Sequence, residues 1–450
     1  MIPYWAALFA YIPVAMLLMM DRNAARGFSL AYLIGLMFLP AGEAGVLNLP
    51  GVPDLSKENA PVIGILLGTI LFRPEAFDKF KLTPFDLIFF AAMQASFMSA
   101  YVNDNGVRFA ISEAFGLFLN RVLPIMLARI HLGTPGGLKT FLICLVLLGA
   151  AYVPGALWEF RMSPQIHTTT YGYFQHVFQQ HIRGNFYRPI LFFYHALALA
   201  RFFAVCTFFA LFIVRKDLVR LFGPYGNYVF LIPLFGLLLS QSVSPCIMLA
   251  LISGLYLIMR RFPLAAYVLP TIGFVWMTFM FMGWELSYTA IGKFAGISTE
   301  RIDSFQYRLD AIHEYKSIIL NRFGLGHSGF GHGRIEGRAT DSQLLIELLK
   351  GGILGTLAQY LWWIGSMYYA LRVARRAPGT GLANMALAIA AYTSIALTFS
   401  VVDAGMEHFL LLSLAATYGI HNWLDTMPPV REVQRRVITA AQVARTADAH

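Results

Sequence analysis

The chain has 450 residues, 58% of them hydrophobic and only 13% charged, with a mean hydropathy of +0.61. A soluble domain carries about 45–50% apolar and about 25% charged residues, so this composition excludes an ordinary water-soluble fold and points to lipid as the solvent. The net charge of +10 at first suggests nucleic acid, but its distribution along the chain is a topology signal and leaves no nucleic-acid partner to expect.

Apolar segments of spanning length fall near 2–20, 28–46, 59–72, 84–102, 108–127, 139–157, 188–214, 225–241, 244–260, 263–284, 343–371, 382–401 and 408–424. The expected fold is therefore all-α: a polytopic integral membrane protein of about thirteen transmembrane helices. The segment 59–72 and the pair within 225–260 are short, so twelve or fourteen spans also fit. The first segment has no basic residue before it and Arg22 and Arg26 after it, the reverse of a cleaved signal, which predicts an uncleaved span with its N-terminus outside.

Counting spans from there, the basic loops around Lys79, Arg129, Lys216, Arg260 and Arg375, together with the tail from 425 to 450, fall on one side. Nineteen of the 34 Lys and Arg residues lie there, and the positive-inside rule makes that side the cytoplasm. The expected organisation is N-terminal helices over 1–157, a core over 158–371, C-terminal helices over 372–424 and a basic cytoplasmic tail. The cysteines Cys144, Cys206 and Cys246 sit in apolar runs and read as packing residues.

Two larger outer loops, 158–188 and 285–342, carry the candidate chemistry, because long connections between spans are uncommon without a task. The first holds Arg161, Arg183 and Arg188, whose planar guanidinium forks suit phosphate or carboxylate, and also His167, His176 and His181. The spacings of these histidines match no compact ligand motif, so no metal is expected. Trp158, Tyr171, Tyr173 and Phe174 read as interfacial belt residues. His195 and Arg201 follow within the next predicted span, where a buried charge usually faces a polar cavity.

The second loop predicts an amphipathic helix from Ser304 to Arg322, with Leu309, Ile312, Ile319 and Leu320 on its apolar face. Arg308 and Arg322 fall within about 40° of each other around that helix. The glycine-rich stretch from Phe323 to Gly333 contains His327 and His332. No strand precedes it, which leaves a tight loop that lets backbone approach a ligand. Thr340 or Asp341 is expected to cap the next span, and Glu347 to pair with Lys350 within it.

The order of these parts resembles the O-antigen ligase and polymerase superfamily. The shared parts are an arginine-bearing outer loop, a Ser-containing turn at Ser242-Val-Ser-Pro-Cys246, an Arg-led amphipathic helix, a Gly-X-Gly turn, and a polar box before Leu-Leu-X-Glu-Leu. The resemblance covers roughly 155–370 and implies a metal-independent, cofactor-free glycosyltransferase of the bacterial inner membrane, working on its periplasmic face. Its substrate would be a glycan on undecaprenyl diphosphate in membrane lipid, with a chain-length regulator as a further partner.

Carried over by position, Arg183 or Arg188 and Arg308 match the arginines that bind the diphosphate. Asp341 would join them as a catalytic residue; Arg161, His181, His195, Arg201, Arg322, His327 and His332 would line the substrate site. Ligases open the span after the second loop with His-Asn, where this chain has Thr340-Asp341, and that difference favours a polymerase. A ligase remains the same-class alternative, and a flippase for the lipid-linked sugar is the rival of another class. The general base is open among Asp341, Glu159, His327 and His332.

Overall fold

A computed structural model describes residues 1–42, 51–183, 185–284, 299–329, 333, 335, 340, 342–403 and 408–426, and the side chains of 299–302, 304 and 305 are outside that description. The described chain is almost wholly helical, with one two-stranded hairpin pairing Ile182–Arg183 with Phe186–Tyr187. Every apolar segment predicted from the sequence carries a helix. Six helices among the described residues are long and apolar enough to cross a membrane, or seven if one sharply bent pair is counted as a span.

The first half runs α1 (Tyr4–Leu18), α2 (Ala24–Phe38), α3 (Ala60–Phe72), α4 (Leu87–Val102), α5 (Val107–Leu117), α6 (Leu123–Leu132) and α7 (Pro135–Met162). Helices α5 and α6 are joined through a wide π-helical turn, Phe118–Val122, that carries Arg121. α1 and α3 approach closely because Gly64 and Gly68 present no side chain to Ile12, Met16 and Met19. The two cysteines Cys144 and Cys206 are buried packing residues, and Cys206 fills the notch left by Gly149 on α7.

After the short α8 (Ile166–Tyr171) the chain continues through α9 (Ala196–Phe212), α10 (Arg215–Phe222), α11 (Leu231–Leu239), α12 (Val243–Met259) and α13 (Val268–Phe281). α9 and the segment after it bend by 81°. The predicted span 188–214 starts too early: 188–195 is not helical, and α9 begins at Ala196 with His195 as its cap, the Nδ1 atom accepting from the Leu197 amide. Arg129, assigned by sequence to a cytoplasmic loop, lies buried in α6. It is ion-paired to Asp86 at 2.6 Å and sandwiched between Phe80 and Tyr418. An unpaired charge there would be prohibitive, and the carboxylate, the Lys81 carbonyl and two ring faces satisfy the guanidinium.

The amphipathic helix α14 (Thr299–Asn321) packs through Leu309, Ile312, Tyr315 and Ile319. Leu320, expected on that face, is 54% exposed, because the apolar stripe centres on Tyr315. Helices α15 (Gln343–Arg376), α16 (Gly381–Phe399) and α17 (His408–Thr426) complete the bundle. Ser342 caps α15 by accepting from the Leu345 amide, a role the sequence had suggested for Thr340 or Asp341; Thr340 instead donates to the Tyr315 hydroxyl, and Asp341 lies outside the described residues.

α15 is broken at Gly352, whose φ of 58° and ψ of −162° interrupt the helical ladder. The stretch Phe323–Ser328 repairs the break. The carbonyls of Leu349 and Lys350 accept from the His327 and Ser328 amides, and the Ile353 and Leu354 amides donate to Phe323 and Gly324. In hydrocarbon every such group must find a partner, so a broken helix needs a plug of this kind. Gly324, Gly326 and Gly352 meet backbone to backbone, where a Cβ on Gly326 or Gly352 would lie 2.5 Å from the opposing chain. The glycines thus admit another stretch of the same chain, and Phe323–Ser328 acts as a structural plug for the break.

Candidate functional site

Glu159, near the end of α7, organises the loop that follows this helix. One carboxylate oxygen accepts from the Ile166 amide at 3.0 Å, and the other from Ile190 at 2.9 Å and Leu191 at 2.8 Å. The residue is fully buried. Neighbouring groups complete the satisfaction of the irregular segment 189–195: Gln175 donates to the Leu191 and Phe193 carbonyls, Lys57 to Phe192 at 2.6 Å, and the Tyr152 hydroxyl accepts from Phe192. Burial brings the Lys57 ammonium down to about 8. Glu159 is therefore a structural anchor with both oxygens committed, and it is withdrawn from the candidate bases.

The hairpin that follows places Arg188 and His181 back to back. The Arg188 amide donates to the His181 carbonyl at 2.7 Å, and His181 Nδ1 lies 3.2 Å from the Arg188 carbonyl. A carbonyl only accepts, so Nδ1 carries the proton and Nε2 has the lone pair. Burial holds this imidazole down to about 4, so it is neutral at physiological pH. Rings of His176 and His181 meet edge to face at 5.4 Å, and those of His176 and His195 at 4.5 Å. Among the described residues no His, Cys, Asp or Glu group converges as metal ligands do.

Arg188 is buried against the turn between α11 and α12. Its guanidinium donates to Ser242 Oγ at 2.7 Å and to the Ser240 carbonyl at 3.4 Å, and burial lowers it to about 10. Gln241 holds that turn in a left-handed conformation, φ 49°, a strained geometry for a residue with a side chain. Arg201 on α9 and Arg308 on α14 reach one carboxylate: Arg201 Nη1 lies 3.1 Å from Asp403 Oδ2, and Arg308 Nη1 lies 3.9 Å from Oδ1. His195 packs its ring against His176, centroids 4.5 Å apart, and caps α9, the helix that carries Arg201.

A small cleft, with room for about one water molecule, lies beside the pair, lined by Arg201, Asp403, Ser400, Tyr392, Met248 and Phe399 among others. Helix ends fix Asp403. Its carbonyl accepts from the Gln343 amide at the start of α15, and the Ser400 carbonyl accepts from Leu344 and from the Ser342 hydroxyl.

The structure thus brings Arg201 and Arg308 to Asp403, and separately groups Arg188 with His181, His176 and His195 around the hairpin. Arg183 stands exposed at the hairpin tip, and Arg161 and Arg322 are exposed as well. His327 Nε2 lies 2.9 Å from the Ile318 carbonyl, which ties the plug to α14 and places this ring in the scaffold. His332 and Asp341 lie outside the described residues.

Two features escaped the sequence reading. Asp403 follows an apolar run at the mouth of α17, and an acid in that position was itself a signal. The second is a buried polar knot around Glu347, which pairs with Arg121 at 3.1 Å and accepts from Gln343 and Gln359. Lys350, the expected partner of Glu347, bonds instead to Glu113 on α5 at 3.2 Å. Comparison with known proteins finds no family model that matches this chain and no curated protein similar to it.

Proposed function

We propose that this protein is a membrane-embedded glycosyltransferase that polymerises undecaprenyl-diphosphate-linked oligosaccharide repeats at the outer face of a bacterial inner membrane. The observation that supports it most is the meeting of Arg201 and Arg308, drawn from two distant parts of the chain, on the single Asp403 carboxylate at the edge of a cleft. Cleaving a sugar from a diphosphate leaves charge on the departing oxygen, and preorganised guanidinium groups stabilise it without a metal. In this reading the thirteen helical segments all span, the N-terminus is periplasmic and the basic tail cytoplasmic. The lipid-linked glycan enters from the bilayer, and a chain-length regulator is a partner.

Thr340-Asp341 in place of His-Asn favours polymerisation over transfer to a lipid A core. Purified protein given a lipid-linked repeat unit should yield a ladder of products on a gel. Arg188→Ala and Arg308→Ala should each slow extension by about 100-fold, the scale on which a lost charge-stabilising donor acts. Arg322→Ala, at an exposed position, should extend chains within about twofold of wild type, since surface changes are usually small. Lipid moved across vesicles with no chain lengthened would reject the polymerase in favour of a flippase.

A further inference from the structure

We infer that Asp403 is the base that activates the acceptor hydroxyl, and that it is engaged only when the lipid diphosphate draws Arg201 and Arg308 away from it. The inference rests on the polymerase reading and adds the group that reading lacks. Its ground is the sharing of one carboxylate by two arginines: Oδ2 faces Arg201 at 3.1 Å and Oδ1 faces Arg308 at the looser 3.9 Å. Without ligand, Asp403 offers these guanidiniums the oxygen acceptors a phosphate would offer. A diphosphate presents more acceptor oxygens and more charge, so it competes for the same donors.

The carboxylate has a use once displaced. Asp403 borders the cleft that also exposes Ser400 and Tyr392, which leaves room for a sugar hydroxyl beside it. Its backbone is fixed by the start of α15, so the side chain stays in place when its partners shift. A carboxylate held by two cations is a poor proton acceptor, and drawing either cation away makes it more basic. Of the other candidates, Glu159 is committed to three amides and His327 to the Ile318 carbonyl, while Asp341 and His332 lie outside the described residues.

In the step itself the acceptor O–H gives its proton to an Asp403 oxygen while the acceptor oxygen forms a bond to the anomeric carbon. The bond from that carbon to the diphosphate oxygen breaks, its electron pair leaves with undecaprenyl diphosphate, and the arginines hold the added charge. The proton on Asp403 then passes to the departing diphosphate or to water. Charge and atoms balance with no further reactant.

The test uses the full chain in detergent or vesicles, with undecaprenyl diphosphate as the binding probe and a lipid-linked repeat as substrate. Asp403→Asn removes the anion that competes for Arg201 and Arg308, so undecaprenyl diphosphate should bind more tightly, by about fivefold or more. Chain extension by the same variant should fall about 100-fold or more, as for a lost general base. Asp403→Glu keeps the anion and moves it, so binding should stay near wild type while extension drops.

Should either variant fail to fold, the wild-type chain labelled with carbon-13 aspartate gives an infrared difference spectrum on adding inorganic pyrophosphate. A shifted aspartate carboxylate band is expected. Weaker binding by Asp403→Asn, extension at the wild-type rate, or an infrared spectrum with no aspartate change would each overturn the inference. A wild-type chain that binds the probe yet builds no ladder would instead overturn the polymerase reading.

Discussion

A single carboxylate, Glu159, stabilises the irregular backbone ahead of α9 by accepting three amide hydrogens while fully buried. Glutamine in its place keeps one acceptor oxygen and brings a donor toward amides that are donors themselves. Glu159→Gln should therefore destabilise the protein by roughly 2–3 kcal/mol, the penalty of leaving buried amides unpaired. Thermal unfolding in detergent would register the loss, and limited proteolysis should show earlier cleavage between 163 and 195. A variant that melts with wild type would remove Glu159 from its anchoring role. At this scale the sequence drew attention to arginines more than to carboxylates. Arg188 and Arg201 stood out as cations on the proposed outer side or inside a predicted span, which are rare, and Arg308 by its place in the family resemblance. Glu159 and Asp403 could not be sorted from sequence, since anchor and site residue differ only in which amides or guanidiniums fold against them.

Helices were the most legible elements, because twenty apolar residues in a row have few alternatives in lipid. Their ends were less so: His195 looked like part of a span and is the cap outside one. The glycine-rich stretch was recognised as a place where backbone comes close, but what approaches it is α15, thirty residues along the chain, and nothing local encodes that partner. Gly352→Ala tests the plug directly. Alanine would have to adopt a left-handed φ and bring its Cβ to 2.5 Å from the Gly324 carbonyl oxygen. The expected destabilisation is on the order of 3 kcal/mol. Gly351→Ala, whose Cβ meets nothing within 4 Å, is the control and should leave the melting temperature nearly unchanged. Equal melting of the two variants would show that the break is not held by close backbone packing.

For the molecule as a whole, the alternation of basic loops made sidedness a single testable proposition. In intact cells a membrane-impermeant maleimide should label a cysteine placed at Arg183 and spare one placed at Lys216 or Arg261. The native cysteines interfere little, since Cys144 and Cys206 are buried and Cys246 is partly so. Labelling at both Arg183 and Lys216 would break the proposed topology. Site geometry lies at this same scale, because Arg201, Arg308 and Asp403 come from three regions of the chain and only tertiary packing brings them together. The interrupted helix α15 also bears on how the protein is made. Its unpaired amides and carbonyls cannot rest in hydrocarbon alone, and their partners at 323–328 leave the ribosome before α15 does. The order of synthesis thus delivers the stopper ahead of the gap, and a circularly permuted chain that reversed this order should insert poorly even though every residue is unchanged.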